Sequence, residues 1–219
     1  GTSFSGIEIF DVSNPSAPIR VGSASTRGSA FGIALDGTTA LVANAYFEVG
    51  LVAVEVSNPV SPSVVGSVRV AGSPEGVAVG GGYAYLAAGE DLHVIDISNP
   101  ASPAMIGSAA AGAEAVATAG NLAYVTGFFP GFAVVDVSIP SHPAVLGDVG
   151  LPGSGVDIAP AGAYVLVAAL SAGLHVVDVS DPYLPVRSGS VDTPGSAHGV
   201  AVAGTHAFVG DSEAGLQVV

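Results

Sequence analysis

Cysteine is absent from the 219 residues, as are tryptophan and lysine, and there is one methionine. Without Cys the chain has no disulfides, no thiolate metal ligands and no Cys nucleophile. The compartment stays open, because exported and cytosolic proteins alike can lack Cys. Basic residues number four, Arg20, Arg27, Arg69 and Arg187, against 18 acidic ones. A net charge of −14 leaves almost nothing to neutralise phosphates, so nucleic acid is excluded as a partner and an anionic membrane surface repels the chain. Long hydrophobic runs are missing too. Gly, Pro, Ser or Asp interrupts each apolar stretch well short of the ~20 residues of a membrane helix, so no membrane insertion is expected. Nor does any stretch keep helical periodicity over the roughly ten residues a helix needs.

What is present is 49% apolar residues with only 10% charged, punctuated by 31 Gly and 15 Pro. That composition opposes disorder. A globular chain of this length buries roughly 70% of its unfolded surface, enough for a sizeable core. The sequence starts at Gly1 with neither Met nor a signal-peptide pattern, so any targeting segment is expected to be removed or to lie outside this stretch.

An internal repeat of about 42 residues organises the chain. Five segments align: IEIFDVSNPSAP from Ile7, LVAVEVSNPVSP from Leu51, LHVIDISNPASP from Leu92, FAVVDVSIPSHP from Phe132 and LHVVDVSDPYLP from Leu174. Their acidic residues are Asp11, Glu55, Asp96, Asp136 and Asp178, at spacings of 44, 41, 40 and 42. The repeats fall at 7–50, 51–91, 92–131, 132–173 and 174–215, and a partial sixth copy, LQVV, occupies 216–219. GTSFSG at the start matches GDSEAG at 210–215, so the ends overlap in phase and the chain reads as a window on a longer array.

Each repeat contains four short strands. In the last full copy these are 174–180, 186–192, 198–204 and 206–212, the final two joined as a hairpin across Thr205. Four strands in ~42 residues make one blade of a β-propeller. The expected fold is therefore a single all-β propeller domain over 1–219, built from four-stranded blades. Two forms fit: a closed five-bladed ring in which strands from both ends share a blade, or part of a six- or seven-bladed parent.

The repeated LxVVDVSDPxxP, followed by GVAVxGxxAYVA and a closing Gly, resembles the LVIVD repeat of bacterial and archaeal surface-associated proteins. The likeness covers the whole chain, and the lack of Trp separates it from WD-type propellers. It implies a propeller akin to the YVTN type and an extracellular or cell-surface location, and it implies no reaction.

The repeated residues read as mechanical. Asp and Ser of DVSNPxxP can accept hydrogen bonds from turn amides, and Pro15, Pro59, Pro100, Pro140 and Pro182 preset φ. One carboxylate per repeat falls far short of the six to eight oxygens of a Ca²⁺ site. Gly22, Gly66, Gly107, Gly147 and Gly189 recur inside a strand, which signals a bulge or a close backbone approach. The strand carrying Gly32, Gly76 and Gly199 is expected to be innermost, with Ala34, Ala78 and Ala201 kept small where blades converge.

Function is sought where the copies differ. The residue before the innermost-strand Gly reads Phe31, Glu75, Glu114, Ser154 and His198, which a closed propeller places around its axial opening. Two Glu and a His there could hold a divalent cation or do acid–base work. Asp157 aligns with Ala34, Ala78, Ala117 and Ala201, placing a charge where the other repeats keep a small apolar residue. His93 and His175 share a position that tolerates Glu8, Ala53, Ala133 and Gln217, which points to an outward face. There is no HExxH, no supported Gly-x-Ser-x-Gly elbow and no Walker A loop. The variable loops carry Tyr46, Phe47, Phe128 and Phe129, large aromatics expected on one rim.

These observations point to a non-catalytic extracellular or cell-surface module that acts as a structural, protein-interaction or assembly subunit. Its expected partner is another protein, further copies of itself, or a glycan stacked on the rim aromatics. The alternative is a lactonase-like or ligand-binding propeller with a small-molecule or metal site at the axial ring of Phe31, Glu75, Glu114, Asp157 and His198. No cofactor is called for apart from a divalent cation in that alternative.

Overall fold

The computed structural model describes residues 6–45 and 50–219. The chain is an all-β propeller with five blades ranged about one axis. The first blade runs β3 (Ser29–Asp36), β4 (Thr39–Ala45), β5 (Leu51–Glu55) and β6 (Ser63–Val68) from axis to rim. The second is β7 (Pro74–Gly80), β8 (Tyr83–Asp96) and β9 (Ala104–Ala113). β8 bends at Gly89, which has φ +69°, and so supplies both middle strands of this blade. The third blade is β10 (Ala115–Ala119), β11 (Leu122–Thr126), β12 (Gly131–Asp136) and β13 (Ala144–Gly150). The fourth is β14 (Asp157–Ala161), β15 (Tyr164–Ala168), β16 (Leu174–Asp178) and β17 (Val186–Val191). The fifth contains β18 (Gly199–Ala203), β19 (His206–Gly210) and β20 (Leu216–Val218). All pairings are antiparallel, and blades start at the innermost strand, so a repeat counted from the LxVVDVS segment, such as 51–91, bridges two blades.

The two ends do not share a blade as the sequence suggested. β19 takes β20 as its partner, with Phe208 opposite Val218 and Gly210 opposite Leu216. β1 (Gly6–Asp11) and β2 (Ile19–Ser25) form a separate two-stranded sheet resting on the first blade. Both ends carry the same repeat motif, so only one can occupy the free edge of β19.

The core lies between blades. Leu41, Ala43 and Leu51 of the first blade meet Ala84, Leu86 and Ile95 of the second. Leu92 and Val94 meet Val116, Val125 and Val135. Tyr124, Phe132 and Val134 meet Ile158, Val165 and Val177, with the Tyr124 and Phe132 rings stacked 6.1 Å apart. Leu174 and Ala168 meet Val200 and Val209. Middle strands are thus covered on both faces, which is why β4 and β5 carry consecutive apolar residues, 40–43 and 51–54, rather than alternating ones.

Blades are also locked at the rim. At each recurring glycine the outer strand carries a bulge, as between Ala53 and Val54 or between Val134 and Val135 on the facing strand. A Cβ on Gly22, Gly66, Gly107 or Gly147 would overlap the carbonyl oxygen of Pro59, Pro100, Pro140 or Tyr183 in the next blade's turn. Both sequence readings of this glycine hold together: the bulge opens a notch and the neighbouring turn fills it. The turn itself is braced by its acidic residue, which accepts the amide of the Ser two positions on. The five bonds are 2.8 Å at Asp11, 2.9 Å at Glu55, 2.9 Å at Asp96, 2.8 Å at Asp136 and 2.9 Å at Asp178.

Innermost strands pack in order, β3 on β7, β7 on β10, β10 on β14 and β14 on β18. β18 and β3 do not pack in this way, and a seam separates them. One lip of the seam carries Ile33, 57% exposed, where three of its four counterparts, Val116, Ile158 and Val200, are at most 9% exposed and the fourth, Val77, is half-buried. Ala201 on the other lip is exposed, whereas its counterpart Ala78 packs into a core cluster, so the expected crowding holds at Ala78 and not at Ala201. The chain exposes 10483 Å², above the roughly 9,000 Å² usual for a compact protein of this mass. Among the described residues no helix is long and apolar enough to cross a membrane.

Candidate functional site

An antiparallel blade sends its first strand away from one face and its second back, so the starts of β3, β7, β10, β14 and β18 share a face with the loop between β11 and β12. The five strand starts enclose an axial pocket of about 500 Å³. Phe31, Glu75, Glu114, Asp157 and His198 all line it, so the expected ring residues do come together.

Their roles differ from the sequence alignment. Strand register puts Asp157 opposite Ala168, as Gly32 is opposite Ala43 and Gly199 opposite Gly210. The counterpart of Ala78 and Ala201 is therefore Ala159, and the residue that aligns with Glu114 and His198 is Val156, not Ser154. The cause lies in the 151–156 connection. Gly155 is tucked against Thr126 in the loop, and it imitates the strand glycine in sequence.

Asp157 is a brace. Its Oδ1 accepts the Ile158 amide at 2.9 Å and its Oδ2 accepts the Val200 amide at 2.8 Å, joining β14 to β18. Ser154 is buried and donates its hydroxyl to Glu114 Oε2 at 3.0 Å. The side chains of Glu75 and His198 make no hydrogen bond among the described residues. Partial desolvation, and secondarily the charge of Glu114, raises the Glu75 carboxyl above its ordinary value. The pocket thus offers an acidic wall from Glu75 and Glu114, an imidazole at His198 and an aromatic side chain at Phe31, which is 60% exposed. Among the described residues no three His, Asp or Glu side chains gather closely enough to hold a metal ion.

Phe128 and Phe129 stand on the same face, 81% and 84% exposed. Their loop is pinned from beneath, since a Cβ on Gly112 would overlap the Phe129 carbonyl oxygen. Tyr46 and Phe47 lie outside the described residues.

His93 and His175 are not outward. They are 3% and 2% exposed, and their Nε2 atoms donate to the carbonyls of Ala71 at 3.0 Å and Pro152 at 2.9 Å. Each fastens the segment joining its blade's predecessor to its own blade. Burial lowers the basicity of His175. Other polar residues do the same work elsewhere: Asn44 Nδ2 donates to the Thr26 carbonyl at 2.6 Å, and Asp211 accepts Thr193 Oγ1 at 2.7 Å and the Gly195 amide at 2.9 Å. Sequence reading missed these anchors. The available signal was a polar residue interrupting an apolar middle strand.

Six LVIVD repeats match the chain, at 4–26, 27–70, 71–111, 110–150, 152–193 and 194–219. The chain is similar in fold to a functionally unknown protein from Desulfotomaculum acetoxidans DSM 771, with a TM-score of 0.78 and 13% identity over all of this chain and 77% of that one. It is also similar to the computationally designed Ika8 protein, with a TM-score of 0.74 and 10% identity, covering all of this chain and 66% of that one. No curated protein matches. Repeats that span nearly every residue, on blades that begin where those repeats begin, place the chain in the LVIVD repeat family.

Proposed function

We propose that the chain is a non-catalytic propeller module of an exported, cell-surface protein, presenting one face to a protein partner, a glycan or further copies of itself. The observation that carries this reading is the pair Phe128 and Phe129, 81% and 84% exposed on a loop whose backbone is pinned at Gly112. Two aromatics held in water on a rigid frame supply contact area at little ordering cost. Stacking against a sugar ring or filling a protein pocket uses that geometry directly.

A second reading rests on the axial pocket, where Glu75, Glu114, Asp157 and His198 surround about 500 Å³ beside Phe31. In it a divalent cation or a cationic small molecule sits against the Glu75 and Glu114 carboxylates. Thermal melts with millimolar Ca²⁺, Mg²⁺ or Zn²⁺ separate the two, because a ligand of the folded state raises the melting temperature. The module reading expects no shift, together with glycan-array or protein binding that F128S/F129S abolishes. A clear rise with one metal, lost in Glu75→Gln, favours the pocket reading instead.

A further inference from the structure

We propose that the face bearing Phe128 and Phe129 docks a cationic, apolar segment of another protein. The two rings take its large side chains, and the carboxylates of the second and third blades take its Lys or Arg groups. The inference rests on the presenting-face reading above and names the chemistry of the partner.

Charge is unevenly placed along the chain. From Ala71 to Val186 there are ten acidic side chains and no Lys or Arg. Four of the ten, Glu75, Glu90, Asp91 and Glu114, stand where β7 and β10 begin and where β8 bends, on the face that carries Phe128 and Phe129.

The aromatic pair and these carboxylates share one floor, the 112–114 segment that leads from β9 into β10. On one side the β8 bend lies along it, with Gly89 paired to Ala113 and Asp91 to Ala110. On the other side the Phe129 carbonyl covers Gly112, and a Cβ on Gly127 would overlap the Gly112 carbonyl oxygen and come within 3.3 Å of the Glu114 amide nitrogen. That amide donates to the Thr126 carbonyl at 2.8 Å, and Thr126 Oγ1 donates to the Gly131 carbonyl at 2.5 Å, closing the loop beneath the rings. Glu90 and Asp91 therefore flank the aromatic loop, and Glu114 stands at its root. Backbone contacts hold all of them, so the surface is ordered before a partner arrives.

These carboxylates have no cation of their own. The side chains of Glu75, Glu90 and Asp91 make no hydrogen bond or ion pair among the described residues, and Glu114 receives only the Ser154 hydroxyl. No Arg lines the pocket that Glu75 and Glu114 share. Among the described residues no three acidic or His side chains gather closely enough for one metal ion. Carboxylates spread in this way suit several separate cationic groups.

Charge also decides among partners. A second copy carries four basic side chains against 18 acidic ones, and Arg20 already pairs with Glu8 at 3.2 Å, so copies repel one another. A neutral glycan stacks on the rings and leaves the carboxylates unanswered. A cationic segment uses both. Its ammonium or guanidinium groups pair with Glu90, Asp91 and Glu114 and lie against the faces of the rings. Its apolar side chains remove Phe128 and Phe129 from water, where they are 81% and 84% exposed.

Fluorescence anisotropy on the 219-residue chain tests this with labelled probes: a short peptide alternating Lys and Leu, the same peptide with Glu for every Lys, and cellohexaose. The Lys peptide should bind and the other probes should not. F128S/F129S should weaken it about tenfold or more. E90Q/D91N should weaken it about fivefold at low salt, a difference that fades as added salt screens the pairs. E55Q/D181N removes the same charge from the opposite face and should leave the affinity within about twofold. None of these side chains is buried, so each variant should melt like the parent. A Lys peptide that fails to bind would overturn the proposal, and so would an equal loss in E55Q/D181N, because binding would then follow net charge alone. Cellohexaose binding or self-association that F128S/F129S removes would overturn the cationic partner and leave the presenting face standing. Peptide binding that survives F128S/F129S would overturn both.

Discussion

The interface between the third and fourth blades and the seam between the fifth and first blades are built from the same repeat, yet only one is sealed. At the sealed interface Ile158 is 7% exposed against Tyr124, Phe132 and Val134, Gly147 receives the Tyr183 carbonyl, and Asp157 ties β14 to β18 on the far side of the blade. At the seam Ile33 is 57% exposed, Gly189 receives no carbonyl among the described residues and Ala201 is exposed. The lesson is that a repeat residue has no fixed energetic worth. Burial comes from the neighbouring blade, as expected when each unit packs mainly on the next one.

Matched substitutions sharpen the contrast. Ile158→Ala should cost about 2–5 kcal/mol through lost burial and a cavity, whereas Ile33→Ala at the seam should stay within about 0.5 kcal/mol. Urea titration of both variants checks this, and equal losses would mean the seam is sealed in solution. Gly147→Val forces a side chain into a backbone carbonyl and should cost about 1–3 kcal/mol. Gly189→Val should be near neutral by the same titration, in the dilute monomer.

A smaller effect concerns pH. His175 is buried and its folded-state pKa is depressed below 6.5, so the unfolded chain binds the proton first. Its contribution to stability is complete above pH 6.5 and is lost as pH falls toward the lowered folded value. Melts across this window should show a positive slope of stability with pH, and His175→Gln, which keeps a donor for the Pro152 carbonyl, should flatten it. The slope must be read above the carboxylate range, because four turn carboxylates act in the same direction at lower pH: Asp11 and Asp136 are held below their ordinary value chiefly by the Ser amides they accept, Asp96 and Asp178 chiefly by the Ser hydroxyls.

Much of this architecture was legible in the sequence because it is written five times. The blade, the innermost strand and the braced turn each recur in register, and the glycine notch was visible as a strand glycine. The ring residues were legible as a set. Their individual roles were not. The 151–156 connection holds Gly155, and its position mimics the strand glycine, so Asp157 was aligned two residues out of register and a brace resembled an intruding charge. His93 and His175 resembled outward residues because their position tolerates Ala, Glu and Gln. In space His93 and His175 face the carbonyl of a segment that joins two blades, and the imidazole reaches it. Which end of the chain pairs with β19 depends on two competing copies of one motif, and no local signal ranks them.

The most direct test of the seam uses the absence of native cysteine. Cysteine pairs introduced at Asn121 and Ala163, on adjacent inner hairpins of sealed blades, and at Thr38 and Thr205, across the seam, can be spin-labelled and their distances measured by pulsed electron resonance on the monomer. The account predicts a short, narrow distance for the first pair and a longer, broader one for the second. Matching short distances at both pairs would show a uniformly closed ring and contradict it.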